Sequence, residues 1–145
     1  MTFLDDQPGL FDYRSRLKVP ALDADLAALG RQPMGRAMHF PMPQSVAALI
    51  GVLYVMEGSA QGGLMIARLL QTLPIAPLPT AYFRVYGDTS AQKWRDFLQF
   101  ANRLNTREEM DSAAATAISA FDAIYCHMED CLSQLGADCS TCESA

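Results

Sequence analysis

Gly51, Gly58, Gly62 and Gly63 stand inside 51-GVLYVMEGSAQGGLMIARLL-70, a stretch whose other residues favour helix. An interior glycine costs a helix about 1 kcal/mol relative to alanine, so four of them forfeit roughly 3–4 kcal/mol. At 100° per residue, Gly51, Gly58 and Gly62 fall within about 40° of one another and make one smooth strip, with Ser59 and Gly63 beside it. A strip without side chains lets something approach the backbone closely. One candidate is another helix, packed through small residues; the other is a flat ligand lying across the backbone. Spacing alone leaves both open. Glu57 reads as a structural hydrogen-bond acceptor ahead of a proton donor, and Ser59 as a hydroxyl that can bond back to its own helix.

The remaining residues that carry chemistry are two histidines and four cysteines. His39 lies in the proline-flanked "MHFPMP" and reads as an exposed loop residue; His127 reads as a surface or rim residue of the last helix. His127 and Cys131 share a helical face at i, i+4, and Cys139-x-x-Cys142 follows a break at Gly136, so these four have the types to hold zinc. Against that, Cys131 falls on an apolar seam where a thiol packs as a small hydrophobe. A C-x-x-C in a tail suits a labile disulfide equally well.

These groups need elements to position them. The chain has 145 residues, half of them apolar and a fifth charged, which suits one soluble globular domain. We expect a single domain over 1–145, with tails at 1–12 and 136–145. A net charge of −5 argues against nucleic acid or an anionic membrane surface as partner. "MTFLDDQPGLF" lacks the basic segment and apolar run of a secretory signal, and the apolar-plus-glycine run Val46–Met56 is too short to span a bilayer. The expected compartment is therefore cytoplasmic, with the cysteines as thiols.

"VPALDADLAALG" predicts a short helix with Pro20 in its first turn, Leu22, Leu26 and Leu29 on one face, and Gly30 as its stop. Three prolines make "RQPMGRAMHFPMPQ" a loop. Ser45 caps the glycine-bearing helix, which runs to about Gln71. After "LPIAPLPT" and "AYFRVYGDTS", with Asp88 or Thr89 as cap, a helix over about 90–105 places Trp94, Phe97, Leu98, Ala101 and Leu104 on one face. Thr106 and Glu109 form a capping box. Behind them Met110, Ala114, Ala117, Phe121, Ile124, Met128, Cys131 and Leu135 form a seam for packing on other helices, ended by Gly136. No run of alternating β-branched residues appears, so the fold class is all-α with four or five helices.

At this point a resemblance adds to the reading. "LYVMEGSAQGGLMIARLL" resembles the distal helix of bacterial heme oxygenases, particularly the bacteriophytochrome-associated class, whose pattern G-x-x-Y-V-x-E-G-S-x-x-G-G falls here on Gly51, Tyr54, Val55, Glu57, Gly58, Ser59, Gly62 and Gly63. "YFRVYGDTSAQKWRDFLQF" resembles the family's Y-G-x6-W-x-x-F segment through Tyr86, Gly87, Trp94 and Phe97. The similarity runs in order from about Asp12 to Leu135.

The resemblance implies a heme oxygenase-like helical bundle whose distal helix lies over heme or a related tetrapyrrole. Backbone around Gly58 and Ser59 would face the iron-bound oxygen, with Gly51, Gly62 and Gly63 completing the ligand face. An external electron donor and O2 would then open the ring to biliverdin, iron and CO. Arg84, Tyr82, Tyr86 and Lys93 are the nearest propionate anchors, or else ordinary surface charge and aromatic core. The family's iron ligand is a histidine on its first helix, and "MTFLDDQPGLFDYRSRL" contains no histidine. The chain thus reads as a family member without the proximal helix, with His39 and His127 as weak candidate metal ligands and a homodimer as one way to cover the exposed faces. The alternative is a non-catalytic relative acting as a dimeric interaction or regulatory protein, its glycines serving helix packing.

Overall fold

The computed structural model describes residues 11–33, 40, 42–75 and 77–140, the last six as backbone alone. Among the described residues the secondary structure is helical, without strands. α1 spans Val19–Ala28, α2 Val46–Leu70, α3 Ser90–Ala101 and α4 Arg107–Ser140, with single 3-10 turns at Arg14–Arg16 and Gly87–Thr89.

The ends of these helices follow local chemistry. Pro20 sits in the first turn of α1. Gly30, at φ 64°, ends that helix in the left-handed conformation, where Arg31 N–H donates to Leu26 O. Ser45 Oγ accepts from Ala48 N–H at the start of α2. At the start of α4 the capping box is complete: Thr106 Oγ1 accepts from Glu109 N–H, and Glu109 Oε2 accepts from the backbone N–H groups of Asn105 and Thr106. Those two backbone donors hold the Glu109 carboxyl below its usual range. Gly136 does not stop α4, which keeps its backbone ladder to Ser140. α3 ends at Ala101, earlier than the periodicity suggests.

α2 is the centre of the domain and packs chiefly on α4, then on α3. The core joins Leu49, Ile50 and Leu53 of α2 with Phe97 and Phe100 of α3 and Ala113 of α4, and Phe11 and Trp94 close its edge. By length and composition α2 could cross a membrane, yet its buried face, Glu57 included, is taken up by this packing.

The seam read from α4 is displaced. Its buried positions are Ala113 and Ala120, while Met110, Phe121 and Met128 stand about half exposed. Gly51 supplies the physical reason: a Cβ there would lie 2.3 Å from Ala113 O and 3.0 Å from Thr116 Cβ. Where two backbones come that close, only small side chains fit the contact, so alanines rather than the large residues form the packed line.

Candidate functional site

The four glycines of α2 divide into two pairs. Gly51 meets the backbone of α4, and a Cβ on Gly63 would lie 2.8 Å from Phe83 O in the segment leading to α3. Both are therefore glycine because chain packs against them; Gly51 also borders an apolar groove between α2, α3 and α4. Gly58 and Gly62 differ. A Cβ at either would meet nothing within 4 Å, so the described residues give no packing reason for glycine there. The helical strip continues from them through exposed apolar side chains, Tyr54 on one side and Met65, Ile66 and Leu69 on the other. The result is an apolar helix face that the described residues leave uncovered, with a gap at its centre where a planar ring would fit.

Behind this face, a buried ionic cluster fixes the rotation of α2. Glu57 is 2% exposed. Its Oε2 accepts from Arg16 Nη1 at 2.6 Å, and its Oε1 accepts from Tyr86 OH at 2.8 Å and from Lys18 Nζ at 3.4 Å. Arg16 Nη1 also donates to Lys93 O, and Lys18 Nζ to Met56 O. The Arg16 guanidinium lies 4.3 Å from the centre of the Phe11 ring; its Nε is buried without a partner. Burial lowers the Lys18 pKa, opposed by the adjacent Glu57 charge. Burial, reinforced by the bond to Glu57, pushes the Tyr86 hydroxyl well above its usual value, so it remains a donor through neutral pH. Glu57 is thus a structural acceptor. It is the one charged residue between Ser45 and Arg68, and its burial turns the Gly58–Gly62 side of the helix away from the cluster.

The other sequence candidates fall as follows. Ser59 is exposed beside Gly58, and its Oγ donates to Met56 O at 2.8 Å, leaving its acceptor capacity at the helix surface. Tyr86 is buried, and its hydroxyl donates to Glu57 Oε1. Tyr82 is held by its backbone N–H, which donates to Asp25 Oδ2, and its ring lies edge-on to Phe83. Lys93 Nζ donates to Ser15 Oγ. Arg84 is exposed, with Nε donating to Thr80 Oγ1, and remains a basic group at the surface. His127 Nε2 lies 3.6 Å from Cys131 Sγ along α4. His39 and the side chains of Cys139 and Cys142 lie outside the described residues; among the described ones no group of three metal-ligating side chains occurs.

Sequence reasoning missed Arg16, Lys18 and Asp25. Asp25, the buried residue of α1, accepts from the backbone N–H groups of Ala81 and Tyr82 at 2.8 Å each. A usable signal existed for the first two: "YRSRLK" brings three cations together, and a lone acid inside a long apolar helix needs cationic partners.

Over 120 residues the chain is 36% identical to a curated heme oxygenase of Xanthomonas campestris pv. campestris (strain 8004), an alignment covering 83% of this chain and 70% of that protein. No family model matches the chain, and no solved structure matches it.

Proposed function

Because the chain belongs to the heme oxygenase family, we propose that it binds heme or a related tetrapyrrole across the Gly58–Gly62 face of α2 and degrades heme to biliverdin, as a member of the bacteriophytochrome-associated class. The observation that carries this reading is the open space at Gly58 and Gly62. Two glycines in mid-helix together forfeit roughly 1–2 kcal/mol, and no described neighbour needs that space.

The chain's own residues divide the work. Gly58 and Gly62 leave room at the helix surface, while Tyr54, Met65, Ile66 and Leu69 offer the ring an apolar bed. Ser59 retains acceptor capacity and would hold an ordered water beside Gly58, from which a proton could be supplied at the helix surface. Arg84 is the exposed cation suited to a propionate. The Arg16–Glu57–Lys18–Tyr86 cluster holds α2 in one rotation, so the glycine gap keeps its direction. Heme, when bound, supplies the iron at which O2 is activated and is itself the substrate that is opened. Electrons come from an external donor, and His39 and His127 are the chain's candidates for the iron.

The test is turnover. Protein loaded with hemin and given a reductant and O2 should lose its Soret band and yield biliverdin, identified by chromatography. Hemin bound but never opened would leave the non-catalytic reading.

A further inference from the structure

α4 carries two apolar faces, and the described structure uses one. Ala113 and Ala120 face the core. On the other side Met110, Ile118, Phe121, Tyr125, Met128 and Leu132 are between 49% and 64% exposed. With Ala114 they recur at spacings of three and four, inside an arc of about 80°, along roughly 33 Å of helix. Six large apolar side chains in a row expose on the order of 800 Å², about one partner's share of a specific interface. A monomer seldom shows such a patch without use for it.

The stripe runs into the groove between α2, α3 and α4, a cavity of about 450 Å³ bordered by Tyr54, Leu98, Ala114, Ile118 and Phe121. These lining side chains are apolar apart from the Tyr54 hydroxyl, so the groove has nothing to hold the carboxylates of a tetrapyrrole. Its apolar lining, which follows α4 from Ala113 to Phe121, suits the apolar side of another helix. Along the outer edge of the stripe stand Asp111, Asp122 and Glu129, all exposed and about one helical step from the apolar line. Asp111 is paired with Arg107. A second copy of this chain laid on the stripe would bring the same acidic edge against its own.

We propose that this stripe and groove form a docking surface for an amphipathic helix of about six turns bearing lysine or arginine along one flank. Apolar contact supplies affinity, and the acidic edge selects orientation and steers approach by a basic partner to a chain of net charge −5. This surface meets the Gly58–Gly62 face at Tyr54, which borders both, and the observations behind it do not rest on tetrapyrrole binding.

The test uses three fluorescein-labelled 22-residue peptides: leucine-faced helix with lysine flanks, the same helix with glutamate flanks, and the lysine peptide scrambled. Anisotropy titration of the full chain should give saturable binding of the first, at least tenfold tighter than the second and third. Phe121→Glu should abolish it. Asp122→Lys/Glu129→Lys, both fully surface changes, should invert the preference between lysine and glutamate peptides with circular dichroism unchanged. Equal binding of the ordered and scrambled lysine peptides overturns the proposal, because charge alone would then be acting. An unchanged preference in the double lysine variant also overturns it. So does a dimer by light scattering that Phe121→Glu dissociates, since a second copy would then be the occupant.

Discussion

Alanine substituted in turn at Gly51, Gly58, Gly62 and Gly63 should separate the glycines that packing requires from those it does not. At Gly58 and Gly62 the new methyl meets nothing within 4 Å, so only the helix preference acts, and each change should stabilise the fold by about 0.5–1 kcal/mol. For a chain of this size that raises Tm by roughly 2–4 °C. At Gly51 the methyl would lie 2.3 Å from Ala113 O, and at Gly63 2.8 Å from Phe83 O. Both obstacles are backbone, so helices must separate, and overpacking of that kind costs about 1–3 kcal/mol. Gly51→Ala should therefore lower Tm, and by more than Gly63→Ala. Thermal melts by circular dichroism at fixed protein concentration, with urea midpoints alongside, read both signs. If Gly58→Ala and Gly62→Ala destabilise the apo chain as Gly51→Ala does, the open face does not exist and the division of the glycines is wrong.

Three further outcomes follow from the cluster and the cap. Glu57→Gln leaves Arg16 and Lys18 buried without their counter-charge, and urea unfolding should show a loss of about 3–5 kcal/mol; Glu57→Asp should recover part of it. Tyr86→Phe should remove a phenol that titrates above the usual range in an alkaline ultraviolet titration. Because the folded pKa of Tyr86 is raised, its stabilisation is present below the usual phenol range and lost as pH climbs past it. Glu109 has a depressed folded pKa, so its capping contribution is present above the usual glutamate range and lost as pH falls through the folded value. Amide exchange in the first turn of α4 should accelerate on acidification, and Glu109→Gln should flatten that dependence.

What the sequence made legible is what local chemistry determines. Ser45, Gly30 and the Thr106–Glu109 box mark helix ends through bonds that span three to five residues, and those ends stand where the pattern puts them. The Gly58–Gly62 strip is legible for the same reason, since helical period alone brings those positions to one face. The Arg16–Glu57 pair, separated by 41 residues, depends on how the chain returns to α2, which no local pattern encodes. The phase of α4 misleads for a related reason. Reading large apolar residues as core assumes ordinary helix spacing, and the close approach at Gly51 replaces them with Ala113 and Ala120. Tyr86 illustrates a third case: a phenol in a family-like segment reads as a ligand group, but burial beside Glu57 gives it a structural partner.

The most direct test of the glycine face is a hemin titration of the full chain and of Gly58→Leu, followed by Soret absorption, with the apo melts of both recorded. The parent should bind hemin saturably at one equivalent. Gly58→Leu should fold at least as stably as the parent and lose that binding, because its Cβ meets nothing within 4 Å and its side chain fills the gap over the helix. A Gly58→Leu chain that binds hemin as tightly as the parent would contradict the account and move the search for the tetrapyrrole away from α2.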